Sequence, residues 1–187
     1  LLDAHRRFVV PLLQRRDQFA HADEFMLYDM LPPGDGVNED VITYSNDRNG
    51  LRSLVVYNNS YNQASGHINR SAPVLRRDGQ RRYLWQTSLA GALGLSGRDD
   101  AYCILREQVS GRTYLYPSRL MQHEGLYLDL AGYERRVYLD IYEDYDRPDR
   151  PLALLWFQIG ASGCVDLEAE LRRARHRPLL DAWDALA

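Results

Sequence analysis

The sequence has few of the residues and motifs that a self-contained enzyme or a metal protein needs. Only two of its 187 residues are cysteine, and neither belongs to a CxxC or Cys/His grouping that would bind zinc. Five histidines occur, but they form no HxH or HExxH motif. The GxSxG, Walker and GxGxxG motifs are also absent. We therefore predict no catalytic residue, no metal and no cofactor in this chain.

Long apolar runs are absent as well. The best candidate, residues 152–159, is far shorter than the roughly 20 residues that a membrane-spanning helix needs. The formal net charge of -3 gives no overall attraction to nucleic acid or to anionic lipid. We therefore expect neither nucleic acid nor a membrane as a partner. We expect a cytoplasmic protein, with secretion of a longer parent protein as the alternative.

Acidic residues are plentiful, but they cluster in stretches whose pattern indicates loops. A glycosidase needs two carboxylates that face each other across a sugar from rigid elements. The two clusters, within residues 35–40 and 143–149, do not supply such a pair. A calcium site in residues 143–149 stays open as an alternative, although the spacing does not match an EF-hand loop.

Residues 1–24 are predicted to be a helix that ends an upstream domain. Its apolar residues recur three or four positions apart, and Pro11 should kink the helix or start a new first turn. The helical pattern is already under way at Leu1, so we interpret the chain as a piece of a longer protein. The apolar face should pack on the β-domain or on a neighbour, and the isolated chain should self-associate where it stays uncovered. This face consists of Leu2, Phe8, Val9, Leu12 and Leu13.

Residues 25–146 are predicted to form an antiparallel β-sandwich, which makes the fold mainly β with appended helices at both termini. Asn49-Gly50, Ser110-Gly111 and Ala131-Gly132-Tyr133 each predict a hairpin turn. Residues 59–82 are predicted to be irregular, with an arginine-rich hairpin tip at Asp78-Gly79 and phosphate binding as the alternative. Strands are predicted over residues 25–28, 40–46, 51–58, 101–108, 112–116, 125–130 and 134–142.

Residues 147–187 are predicted to be a helical tail. Helices are expected over residues 152–159 and 166–177, with Asp166 as the N-cap of the second and a separate short helix after Pro178. Cys103 and Cys164 are expected to be buried free thiols, although a disulfide between them stays open.

Aromatic residues are the one enriched class, with 13 Tyr, 3 Trp and 4 Phe. Their flat apolar faces and polar edges suit stacking on sugar rings. Tyr57, Tyr61 and Trp85 border the irregular segment and are the candidate carbohydrate contacts, whereas packing on strand faces is the alternative. Polar neighbours for the sugar hydroxyl groups would be Asn58, Asn59, Asn62 and Gln63.

The order of these segments is informative. The chain carries PLLQRR at 11–16, FMLYD at 25–29, NEDVITYSN at 38–46, LVVYNN at 54–59, GLYLDL at 125–130 and VYLDI at 137–141. Over about residues 1–146 this series resembles the end of the catalytic barrel and the C-terminal β-domain of α-amylase-family glycoside hydrolases. The catalytic residues of that family precede this segment, so the resemblance assigns none of them here.

The resemblance implies a non-catalytic C-terminal β-domain that supports the catalytic barrel of an α-amylase-like glycoside hydrolase. Its partners would be the upstream (β/α)8 barrel of the same polypeptide and an α-glucan. The alternative is a free-standing β-sandwich module with a binding or scaffold role. A third reading is a small enzyme with its own cleft, but no acid/base pair or activated nucleophile supports it.

Overall fold

The computed structural model describes residues 6, 10–16 and 25–184, and strands make up most of its regular structure. The strands are β1 (Met26–Leu31), β2 (Asn38–Arg48), β3 (Leu51–Asn58), β4 (Ala64–Ser71), β5 (Val74–Asp78), β6 (Arg81–Trp85), β7 (Ala101–Glu107), β8 (Thr113–Pro117), β9 (Leu126–Leu130) and β10 (Arg135–Tyr145). The helices are α1 (Val10–Gln14), α2 (Leu89–Ala92), α3 (Ser118–Glu124), α4 (Leu152–Ile159) and α5 (Leu167–Asp184).

One large antiparallel sheet contains eight of these strands. Their order is β8-β7-β10-β3-β2-β1-β4-β9, and β5 and β6 form a separate two-stranded hairpin. The edge strands β8 and β9 are consecutive in the chain, and only α3 joins them. The sheet therefore curls, and its inner side closes over α2 and α3.

The main core lies on this inner side. Side chains from β1 to β4, β7, β9 and β10 meet α2 and α3 there, because alternate residues of each strand point inward. Its largest fully buried members include Met30, Leu54, Ile68, Leu89, Met121 and Tyr138.

A second core lies on the outer side of β7 and β8. Leu152 and Leu155 of α4 pack there with Leu167 and Leu171 of α5 against the strands. Asp166 caps α5, since its carboxylate accepts a hydrogen bond of 2.9 Å from the backbone N–H of Ala169. The helical tail is thus a cover for one part of the outer face of the sheet.

The mainly β class predicted from sequence is confirmed, as are the hairpins β2–β3 and β7–β8. Asn49 and Gly50 have φ angles of 53° and 83°, which is the left-handed geometry that the Asn-Gly turn requires. Cys103 and Cys164 are both free and buried, and Asp78-Gly79 is the tip of the β5–β6 hairpin.

Three predictions about individual elements are wrong. Residues 59–82 are not irregular, because they contain β4, β5 and the first two residues of β6. The hairpin predicted over residues 125–142 does not form: β9 pairs with β4, and β10 pairs with β3 and β7. Residues beyond Pro178 continue α5 to Asp184 instead of starting a new helix.

The predicted helix over residues 1–24 lies mostly outside the described residues. Within the described part, α1 covers Val10–Gln14 and includes Pro11 in its first turn, where proline fits without losing a hydrogen bond. Leu13 is 58% exposed. The domain boundaries at residues 24 and 146 stay predictions.

Candidate functional site

The structure places the three predicted carbohydrate contacts in three different settings. Tyr57 lies on the outer face of β3, opposite Ile42 of β2 and Arg135 of β10, and is half-buried. Tyr61 lies in the loop between β3 and β4 with 77% of its surface exposed. Trp85 ends β6, beyond the opposite end of β4 from Tyr61. A single sugar ring therefore cannot contact all three.

Trp85 is already engaged by the protein. The Arg76 guanidinium carbon lies 3.7 Å from the centre of its ring, which is a close cation–π contact. Trp85 also packs, partly buried, against the main core. Sugar contact at Trp85 stays a prediction, and its described surroundings are those of a packing residue.

Tyr61 lies at a depression of about 510 Å³ that two loops form together. One loop, residues 59–63, joins β3 to β4, and the other, residues 131–134, joins β9 to β10. The depression is lined by Tyr61, Gln63, Asp129, Ala131, Gly132 and Glu134. We call it the Tyr61 depression.

Asn58 holds the two loops together. Its side chain is fully buried, and its amide donates hydrogen bonds of 2.7 Å to the carbonyl of Asn62 and 2.9 Å to the carbonyl of Ala131. Its side-chain oxygen accepts one of 3.2 Å from the backbone N–H of Ser60. Asn58, predicted as a polar neighbour of sugar, is therefore a positioning residue beneath the surface.

Backbone packing fixes the second loop against the first. The N–H of Tyr133 donates a hydrogen bond of 2.9 Å to the carbonyl of Ser60. A Cβ at Gly132 would collide with the carbonyl of Tyr61, so only glycine allows this approach. Tyr133 has a φ of 57°, which is uncommon for a residue other than glycine. Such a backbone angle persists where the surrounding contacts hold the loop in one conformation.

The polar groups of the Tyr61 depression are only partly satisfied by the protein. Gln63 Nε2 donates a hydrogen bond of 2.8 Å to Asp129 Oδ1. Both carboxylate oxygens of Glu134 are occupied, one by the N–H of Ala131 and the other by Arg136. Within the described chain, Gln63 Oε1 and Asp129 Oδ2 accept no hydrogen bond, and both side chains are exposed.

Arg136 supplies positive charge from beneath these carboxylates. Burial acts to lower the pKa of its guanidinium, but Tyr138 and Glu134 outweigh burial and the pKa lies above its ordinary value. The guanidinium also donates a hydrogen bond of 2.8 Å to the carbonyl of Asp129. Arg136 therefore stays charged and engaged with the two loops, and no cation lines the depression itself.

A different surface lies on the outer face of the sheet over β1, β2, β4 and β9. Leu27, Leu31, Ile42 and Tyr127 are exposed there by 46%, 45%, 47% and 45%. We call these four side chains the exposed outer face. They share the side of the sheet that α4 and α5 cover over β7 and β8. Arg15, directly after α1, forms an ion pair with Asp140 of β10, a strand that lies between the two regions.

Metal-binding groups do not assemble in the described residues. No cluster of three or more His, Cys, Asp or Glu side chains in this part of the chain has the geometry to hold a metal ion. In the acidic stretch after residue 142, the carboxylate of Asp144 is occupied by ion pairs with Arg147 and Arg150. None of the helices that the structure describes has both the length and the apolarity to cross a membrane.

Comparison with known protein families and with curated proteins finds no match to this chain. The geometry of the two surfaces and the sequence resemblance therefore carry what can be inferred about function. Sequence reasoning found Tyr61 and Gln63 but missed Asp129 and Glu134. These residues follow Tyr61 by some 70 positions, and only the pairing of β4 with β9 brings them close.

Proposed function

We propose that this chain is a non-catalytic C-terminal β-domain that supports the catalytic barrel of an α-amylase-like glycoside hydrolase acting on α-glucans. The exposed outer face carries the proposal. Four large side chains, two from β1 and one each from β2 and β9, keep nearly half of their surface exposed on one side of one sheet. Large apolar side chains that stay exposed on one side of a sheet are the kind of surface that another domain can cover.

The position of the chain's N-terminal part fits this role. Arg15, directly after α1, forms an ion pair with Asp140 of β10. A domain that precedes α1 in the polypeptide would therefore be near the same sheet. The resemblance of residues 1–146 to the barrel end and β-domain of the α-amylase family supplies the identity of that domain.

The proposal is tested in the longer polypeptide that includes the residues preceding this chain. Ile42→Asp combined with Leu27→Asp should lower the thermal midpoint of glucan hydrolysis, because charged groups would enter the contact with the barrel. Phe157→Asp is the matched control, since Phe157 is 88% exposed on α4, away from that face. Equal midpoints for the two variants would contradict the proposed contact.

An activity assay of the isolated chain tests whether it is non-catalytic. The purified chain should release no reducing sugar from starch and should not cleave aryl glucosides, because the catalytic residues of the α-amylase family precede the segment that residues 1–146 resemble. Turnover above that of a mock preparation would contradict this.

A free-standing binding or scaffold module is the alternative. It predicts that the residues preceding this chain lack the alternating β/α pattern of a barrel. Reading the upstream gene sequence separates the two proposals directly.

A further inference from the structure

We propose that the Tyr61 depression is a binding site for an uncharged oligosaccharide. Tyr61 would stack on a sugar ring, and Gln63 and Asp129 would bind two neighbouring hydroxyl groups of that ring. The choice of an α-1,4-glucan as the preferred sugar rests on the proposed function, whereas the site itself rests on the geometry of the two loops.

The chemistry of the lining residues fits a polyhydroxylated neutral ligand. A sugar hydroxyl both donates and accepts hydrogen bonds. Gln63 offers an amide donor and a free carbonyl oxygen, and Asp129 offers a free carboxylate oxygen, side by side at 2.8 Å. The exposed ring of Tyr61 supplies the apolar surface that the C–H groups of a sugar ring need.

The same lining argues against other ligand classes. An anionic ligand would meet the carboxylate of Asp129, because Arg136 is already paired with Glu134 and the lining residues themselves include no cation. A proline-rich peptide needs a groove with several aromatic walls. Among the lining residues Tyr61 is the sole aromatic one, and the remainder are polar or small.

The site is preformed by the protein's own contacts. Asn58 joins the two loops from below, Gly132 lies directly against the backbone of Tyr61, and Tyr133 bonds to Ser60. A ligand therefore does not have to order these loops when it binds, which lowers the entropic cost of association. Even so, one stacking ring and one polar pair predict weak binding, with a Kd of about 1 mM.

The test is a titration of the chain with maltoheptaose, cellopentaose and a proline decapeptide, followed by amide NMR shifts. We expect saturable shifts at Tyr61, Gly132 and Asp129 with an oligosaccharide, and affinity at least about tenfold weaker in Tyr61→Ala and in Asp129→Ala. Both side chains are exposed, so the fold should survive. Tyr83→Ala is the matched control, because Tyr83 lies on the separate β5–β6 hairpin.

Each outcome decides the proposal. Maltoheptaose binding that is lost in Tyr61→Ala and kept in Tyr83→Ala supports both the site and the α-glucan assignment. Binding of cellopentaose alone supports the site and removes the α-glucan assignment, while the barrel contact through the exposed outer face is untouched. No shifts with either sugar at roughly ten times the expected Kd, shifts that persist in Tyr61→Ala, or binding of the decapeptide alone would overturn the proposal.

Discussion

Two regions on the outer face of one sheet differ in how far their apolar side chains are exposed to solvent. Over β7 and β8, the outward side chains of Ile104 and Leu115 are each only 1% exposed, because α4 and α5 pack on them. Over β1 and β2, Leu27 and Ile42 are exposed by 46% and 47%. Both regions carry apolar residues at the outward positions of their strands. The chain's own helices α4 and α5 thus cover one region, whereas the large apolar side chains of the other stay partly exposed. We propose that a neighbouring domain covers this second region.

The largest expected difference between the regions is in stability. Leu155→Ala in α4 should lower the free energy of unfolding by about 2–5 kcal/mol, because Leu155 is fully buried and its removal leaves a cavity. Ile42→Ala in the isolated chain should cost less than about 1.5 kcal/mol, since nearly half of Ile42 is already in water. Urea unfolding of the two variants measures this contrast. Equal losses of unfolding free energy in the two variants would contradict the claim that one region is covered and the other is exposed.

The inner face, which is covered throughout, should respond to alkaline pH. Burial raises the pKa of Tyr28 to about 12, against the opposing effect of its hydrogen bond with Ser45. Tyrosine in the unfolded chain titrates near 10, so the unfolded state loses this proton first as the pH rises. The stabilisation is complete below about pH 10 and is lost as the pH rises toward 12, by on the order of 2 kcal/mol.

Urea unfolding at a series of pH values between about 9 and 11 tests this. The chain contains no lysine, so lysine titration does not mask the tyrosines. Tyr28→Phe should show a shallower loss of stability over that range than the unmodified chain. The same slope in both proteins would mean that Tyr28 does not carry the effect.

A smaller effect is expected where the covering helices are tied to the sheet. Arg150 forms ion pairs with Asp144 of β10 and with Glu168 of α5, and its side chain is 18% exposed. Arg150→Ala should cost about 1–2 kcal/mol, because Asp144 is equally sheltered and loses one of its two cations.

Arg173→Ala is the matched control for this prediction. Arg173 pairs with Glu170 on the same helix, but its side chain is 74% exposed, so its loss should cost less than about 0.5 kcal/mol. Thermal unfolding of both variants separates the two cases. If Arg173→Ala is as destabilising as Arg150→Ala, the ion pairs of Arg150 do not stabilise the packing of α5 on the sheet.

Sequence patterns predicted the strands whose signals are local. Asn49-Gly50 has the backbone geometry of its turn, and β7, β8, α4 and the start of α5 lie within a residue or so of their predicted limits. β4 was missed because its inward residues are Ala64, Gly66 and Ile68, which give almost no apolar alternation. Gly66 is required there, since a Cβ would collide with the backbone of Leu31.

The error over β4 explains the other errors in pairing. A turn at residues 131–133 predicts a hairpin as long as no other strand competes for β9. In the structure all five residues of β9 pair with the first five residues of β4, and β10 instead lies between β3 and β7. The Tyr61 depression depends on that pairing, so its second loop could not be assigned from sequence. Pro178 misled the prediction of the last helix. A proline weakens a helix without having to end it, and α5 continues through residue 178 to Asp184.

Hydrogen–deuterium exchange of β1 and β2 tests the central claim most directly. It compares the isolated chain with the longer polypeptide that includes the preceding residues, using β7 as the internal reference because α4 and α5 already cover its outer face. We expect amides of Met26–Leu31 and Asn38–Arg48 to exchange at least about tenfold more slowly in the longer polypeptide, because the neighbouring domain would cover these strands, while those of Ala101–Glu107 are unchanged. Identical exchange of β1 and β2 in the two proteins would contradict the claim that a neighbouring domain packs on the exposed outer face.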